Sequence, residues 1–296
     1  MANLKEVRVR IASVKSTRQI TSAMKMVAAS KLRKAQNAIL GMRPYAQKLQ
    51  EIMQNLSSGM EDSDEGVFAQ ERGDSKVLLV PVTSNRGLCG AFNANIIKET
   101  ISYIDSELNV QHKAGNVELY CIGKKGADIF KSREYKIAHI NTQIFDDLSF
   151  DNTVEITEEF MNSFVDKKYD KIILIYNQFK NAAVQILQVE QILPVSKTEP
   201  EDGTEKTETV ANYIFEPNKE EILEVLVPKS IKVQLYKALA DSFAAEHGAR
   251  MTAMHLATEN ADALLKDLNL SYNKARQAAI TNEILEIVSG AEALKG

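Results

Sequence analysis

The sequence predicts an α/β protein built as a long antiparallel coiled coil of its N- and C-terminal helices, with a small open α/β (Rossmann-like) domain inserted between them. Three observations carry this. Helical periodicity is almost unbroken from residue 3 to 55; a second helical run, Lys229 to Val288, holds no proline and one glycine, Gly248; and between them the apolar residues gather into short strand-length runs. The expected division is 1–57 for the first coiled-coil helix, 58–217 for the inserted domain with its flexible loops, and 218–296 for the second helix.

The first helix is basic. From Val7 to Gln50 there is no Asp or Glu against ten Lys and Arg (Arg8, Arg10, Lys15, Arg18, Lys25, Lys31, Arg33, Lys34, Arg43 and Lys48). At about 1.5 Å per residue it would run roughly 80 Å, far beyond the roughly 19 Å radius of gyration of a compact chain of this size. Its apolar residues form one narrow stripe, Leu4, Val7, Ile11 and Val14, resuming at Met24, Ala28, Leu32, Ala35, Ile39 and Met42, as in a coiled-coil seam. Between Val14 and Met24 the stripe is filled by Arg18 and Thr21, so the packing there is expected to be loose or polar.

In the middle, Lys76–Val82, Val117–Ile122, Ile137–Ile140, Lys171–Tyr176 and Val184–Leu193 read as strands, with amphipathic helical stretches between them, notably Ala91–Leu108 and Thr153–Phe164. Asn177–Ala183 reads as the turn of a final hairpin, and the core of this domain is expected to fold independently of the rod. Ser57–Ser75 and Ser196–Thr209, the latter with Pro200, Gly203 and five carboxylates, read as surface loops. A helix over Asn218–Val227 is expected to end or kink at Pro228. Beyond it, Ile231, Leu235, Ala238, Ser242, Ala245, Ala249, Leu256, Leu264, Leu268, Ala275, Ala279 and Leu285 recur near helical spacing. This second helix would be roughly 90 Å long. A seam of Ala and Ser permits close approach but buries little area per turn. Gly248 costs about 1 kcal/mol relative to Ala in a helix and reads either as a point of close approach or bending, or as a tolerated defect.

The chain has 296 residues, 44% hydrophobic, with a net charge of -4 that conceals segregation: a basic first helix, a balanced second one and a strongly acidic middle. A basic helix suits nucleic acid, an anionic membrane or an acidic protein partner, or is a solvated face. No run reaches the roughly 18 apolar residues of a membrane span. No secretory leader is read at the amino terminus, and two cysteines make no disulfide framework. A bacterial cytoplasmic setting is the simplest reading.

The best place for a ligand is Thr83-Ser84-Asn85-Arg86-Gly87-Leu88-Cys89-Gly90, which follows a strand and opens a helix, where backbone N–H groups bind phosphate. It lacks both G-x-G-x-x-G and a Lys-Ser/Thr ending, so a tight strand-to-helix turn is the better account. His112, His139, His247 and His255 form no i,i+4 pair and have no cysteine at metal spacing. Cys89 has no evident base. We expect no catalytic residue, no metal and no cofactor, and place the informative chemistry on the surfaces of the rod.

Three blocks, Ile11–Gln36 (IASVKSTRQITSAMKMVAASKLRKAQ), Ser84–Asn93 (SNRGLCGAFN) and Ala249–Ala293 (ARMTAMHLATENADALLKDLNLSYNKARQAAITNEILEIVSGAEA), closely resemble, in order and spacing, the gamma subunits of F-type ATP synthases. The resemblance implies a non-catalytic central rotor shaft coupling transmembrane proton flow to ATP synthesis in a ring of alpha and beta catalytic subunits. It also implies a peripheral place on the cytoplasmic side of a bacterial inner membrane, beside an epsilon subunit and a membrane ring of c subunits. By residue, it assigns contacts with the alpha/beta ring to Met24, Lys25, Arg250, Arg276, Gln277, Thr281 and Glu283. Contacts with the membrane ring and epsilon fall on Tyr213, Phe215 and Glu216; Phe215 stands where the family often has Tyr. Antiparallel packing would bring Met24 near Arg250–Met254 and leave the last turns of the second helix projecting alone.

Two other readings compete. A basic helical nucleic-acid-binding protein would need aromatics for stacking, which the positive stretch almost lacks, and an acidic middle repels phosphate. A nucleotide-dependent α/β enzyme would need a phosphate fingerprint and a convergent polar set.

Overall fold

A computed structural model describes residues 4–57, 67–195 and 219–293. The elements are α1 (Leu4–Ser57), β1 (Val77–Pro81), α2 (Phe92–Ser106), α3 (Asn109–Lys113), β2 (Val117–Ile122), α4 (Lys124–Ser132), β3 (Ile137–Asn141), α5 (Phe150–Val165), β4 (Lys171–Phe179), β5 (Gln185–Leu193) and α6 (Lys219–Ala293). They form two compact units, one of residues 1–29 with 250–296 and one of residues 30–249.

In the second unit a five-stranded sheet runs in the order β3-β2-β1-β4-β5. β1 lies at its centre, parallel to β2 and β4, and is buried along its whole length, which is why Val77–Pro81 reads as a continuous apolar run. β4 turns back into β5 as an antiparallel hairpin. Asn181 closes that turn, its Oδ1 accepting from the amides of Ala183 and Val184 at 2.9 and 2.8 Å, so β4 extends to Phe179 and the turn starts later than its polar composition suggests. α5 begins at a Ser149 cap whose Oγ accepts from the Asn152 amide at 3.2 Å.

Alternation along the strands divides the core into two layers. Leu78, Val80, Ile122, Ile172 and Leu174 face α5 through Phe160 and Phe164. Val77, Leu79, Leu119, Cys121 and Ile173 face α2 and α4 through Ile96, Ile104 and Phe130. α6 belongs to both layers: Ile231, Leu235, Ala238 and Leu239 complete the first, and Ala245 and Ala249 join the second. Beside β5, Gln234 Nε2 donates to Glu190 Oε1 at 2.7 Å. The domain core is therefore not complete without the C-terminal helix, contrary to the independent folding expected of it.

α6 also runs through Pro228 without ending. Val227 and Ile231, on either side of it, pack into the same core layer, and that shared burial outweighs one lost helical hydrogen bond. Gly248 is a point of close approach. A Cβ there would lie 3.2 Å from Ala182 Cα and 3.3 Å from Phe179 Cε2, so the hairpin sits against bare helix backbone.

Candidate functional site

In the first unit the facing stretches of α1 and α6 meet along the seam read from the sequence. Val7 and Ala28 are buried and Leu4, Ile11, Val14 and Met24 half-buried on α1. On α6 the phase differs from the expected one: Met254 and Ala261 are buried, whereas Leu256 and Leu264 are 54% and 40% exposed and Leu285 is also on the surface. Leucines at near-helical spacing fit two neighbouring stripes, and the stripe that faces α1 runs Met254, Thr258, Ala261, Leu265, Leu268, Tyr272 and Ala275.

The cross-links are polar, at Arg18 and Thr21 in the gap between Val14 and Met24, as expected, and also at Arg8 and Lys25 on either side of it. Arg8 Nη2 donates to the Tyr272 hydroxyl at 3.0 Å; Arg18 Nε and Asp262 Oδ1 form an ion pair at 2.6 Å. Thr21 and Thr258 share a hydrogen bond at 2.8 Å, and Lys25 Nζ lies 3.2 Å from His255 Nδ1. Numbers fall on α1 as they rise on α6 in equal steps, which fixes the pair as antiparallel. Met24 is thus level with His255 and Leu256, one to two residues past the expected Arg250–Met254 window. The Arg8–Tyr272 hydrogen bond, reinforced by charge, raises the guanidinium pKa and lowers that of the phenol.

Lys25 is half-buried and Arg250 buried, while Arg276, Gln277, Thr281 and Glu283 are exposed, Thr281 Oγ1 donating back to the Gln277 carbonyl at 2.9 Å. Tyr213, Phe215 and Glu216 lie outside the described residues. Among the described residues α1 runs from Leu4, so the register gives α6 no described partner on α1 beyond about Arg276. Every described residue from Ile280 to Ala293 is exposed, including Ile280, Ile284, Ile287 and Val288. These apolar residues at helical spacing were not singled out from the sequence. The signal was present: apolar residues recur at helical spacing through Ile280, Ile284, Ile287 and Val288.

The Thr83–Gly90 loop is committed to its own fold. Thr83 Oγ1 accepts from the Gly126 amide at 2.9 Å, Ser84 O from the Lys125 amide at 3.0 Å, and Asn85 Oδ1 from the Lys124 amide at 3.1 Å. The first three amides of α4, the groups that would bind a phosphate, are thereby taken. Ser84 N donates to Asn93 Oδ1 at 2.9 Å, tying the loop to α2. Cys89 and Cys121 are both buried, and burial pushes the Cys121 thiol up to about 12, far from a working nucleophile. Among the described residues no three His, Cys, Asp or Glu gather as metal ligands, and no helix is long and apolar enough to cross a membrane.

Residues 3–294 match the family model described as ATP synthase. The chain is 58% identical to the ATP synthase gamma chain of Christiangramia forsetii and 57% identical to that of Flavobacterium johnsoniae, over 100% of both chains in each case. The chain belongs to the ATP synthase gamma-chain family. Among solved structures it is similar to a chain of the Tetrahymena thermophila mitochondrial ATP synthase central stalk and c-ring, with 26% identity and a TM-score of 0.57, covering 80% of this chain and 99% of that one. A chain of the Euglena gracilis mitochondrial ATP synthase rotor shares the fold at 21% identity and a TM-score of 0.67, covering 94% of this chain and 98% of that one. Membership in the gamma-chain family accounts for a long polar-seamed helix pair joined to a domain whose most ligand-like loop is closed.

Proposed function

We propose that this gamma chain is the central rotor shaft of a bacterial ATP synthase, coupling transmembrane proton flow to ATP synthesis in a ring of alpha and beta subunits. Residues 1–57 and 218–296 serve as the shaft and 58–217 as the foot, which meets the epsilon subunit and the ring of c subunits on the cytoplasmic face of the inner membrane. The carrying observation is the full-length family match, which spans helix pair and domain alike.

Catalysis belongs to the ring; the shaft contributes difference. A rotor drives a catalytic site only by making unequal contacts with its successive states. The uncovered stripe Ile280, Ile284, Ile287 and Val288, with Arg276, Gln277, Thr281 and Glu283 beside it, supplies an apolar and charged surface for such contacts. Lower on the pair, Met24, Lys25 and Arg250 are the proposed contacts, and the basic character of α1 suits acidic loops on the ring. The nucleic-acid reading weakens on this ground: Arg8, Arg18 and Lys25 are engaged with Tyr272, Asp262 and His255.

The test is Mg-ATPase activity of the purified chain, alone and mixed with alpha and beta subunits of the same organism and fractionated by size. Inertness alone, with co-elution and stimulated turnover in the mixture, is the expected result. A chain that neither assembles nor changes turnover would overturn the assignment.

A further inference from the structure

We propose that the polar rungs Arg18–Asp262, Thr21–Thr258 and Lys25–His255 are a register key that positions the uncovered end of α6 at a fixed height past the start of α1. The consequence for coupling rests on the rotor reading; the key itself does not.

The apolar part of this seam holds the register weakly, because its buried members include the small Ala28 and Ala261 while Leu4, Ile11, Val14, Leu265 and Leu268 are only half-buried, so a slip of one heptad forfeits little buried area. The polar rungs do not tolerate the exchange. A seven-residue slip brings Arg18 opposite His255 or Asn269 in place of Asp262, and Thr21 opposite Met251 or Leu265 in place of Thr258. Thr21 is 8% exposed, so in either slipped state its hydroxyl keeps its bond to the Arg18 carbonyl at 3.1 Å but faces an apolar side chain in place of Thr258. One slip offers Lys25 a carboxylate, Asp262, but takes it from Arg18. Of the rungs only Thr21 is buried, and a buried polar residue in a coiled-coil seam selects one register at some cost in strength; Arg18 and Asp262, each 45% exposed, add a choice of partner by charge.

The experiment uses the full-length chain with spin labels on the exposed positions Ala12 and Asn273, and reads their separation by pulsed electron resonance. The unaltered seam should give one narrow distance. The combined variant Arg18→Met, Thr21→Val, Thr258→Val and Asp262→Met should unfold at an equal or higher temperature yet show a broadened or second distance, displaced by up to about 10 Å, the rise of seven helical residues. The exchange Arg18→Asp with Asp262→Arg should restore a narrow distance relative to Asp262→Asn alone, and serves as the readout if the combined variant does not fold. A combined variant that keeps the single native distance overturns the proposal, as does an exchange no narrower than Asp262→Asn. In the assembled synthase, loss of register should lower the ions moved per ATP hydrolysed while hydrolysis persists. If register is lost and that ratio holds, the key stands and the rotor-contact reading fails.

Discussion

Gly123 ends β2 and opens α4 at φ +93, with its backbone against Thr83. In Gly123→Ala the added Cβ would lie 2.0 Å from the Thr83 carbonyl oxygen and 2.6 Å from its carbonyl carbon, both main-chain atoms of a residue 1% exposed. Neither atom can turn aside as a side chain would, so β1 and β2 must part. The backbone strain costs about 1–3 kcal/mol, and forcing an extra carbon into a packed site typically another 1–3 kcal/mol. Two hydrogen bonds are exposed to the shift, Thr83 N to Ile122 O at 2.8 Å and Gly126 N to Thr83 Oγ1 at 2.9 Å, each worth about 1 kcal/mol. Allowing for overlap among these contributions, about 4–6 kcal/mol should be lost from a domain whose stability is of order 5–15 kcal/mol. Urea unfolding of the full chain, followed by tyrosine fluorescence, measures it. Gly115→Ala is the control, because Gly115 has φ +75 but nothing within 4 Å of its Cβ position, and it should lose only about 1 kcal/mol of strain. A Gly123→Ala variant no less stable than Gly115→Ala would refute the close-approach argument.

Met24→Lys should impair coupling more than folding, since Met24 is half-buried on the seam and a second ammonium beside Lys25 must be desolvated or paired at a moving surface; ions pumped per ATP hydrolysed should fall, and an unchanged ratio would remove Met24 from the contact set. Ile284→Glu, at an exposed position, should shift stability by no more than about 0.5 kcal/mol while weakening assembly with alpha and beta subunits, to be read by size fractionation. Burial, and then the carboxylates Glu159, Glu118 and Glu190, raise the phenols of Tyr120, Tyr169 and Tyr176 above their ordinary value. Raised folded pKa values leave this contribution intact below about pH 10 and lose it above, where the unfolded chain releases its protons first; urea midpoints should drop between pH 9 and 11, and a flat profile would contradict the shifts.

The strands were legible because buried strands are spelled in Val, Ile and Leu: Val117–Ile122 is β2 to the residue, and Lys171–Tyr176 lies wholly within β4. The stripe of α1 was legible for the same kind of reason, since a helix with one covered side must repeat its apolar residues at that side. α4 was not named among the helical stretches: it is nine residues long, carries Gly126 and Lys124–Lys125, and is held by Ala127, Phe130 and the Thr83–Asn85 loop more than by its own pattern. The helix does not end at Pro228, because the local rule for an ending was weighed without the core that Val227 and Ile231 share. The rungs were half legible. Arg18 and Thr21 could be seen to interrupt one stripe, but their partners Asp262 and Thr258 depend on register, which no property of either helix taken alone determines.

The share of α6 in both core layers has a consequence in time. Residues 77–193 leave the ribosome as strands and helices whose two apolar layers still lack Ile231, Leu235, Leu239 and Ala245. At about 5–20 residues per second, the wait from Leu193 to Ala249 is on the order of 3–11 seconds. For that interval the sheet presents unfinished apolar faces, the kind of surface that attracts other chains. The nascent chain is at its most adhesive before its last quarter arrives, and the arriving helix both completes the core layers and begins the pairing with α1.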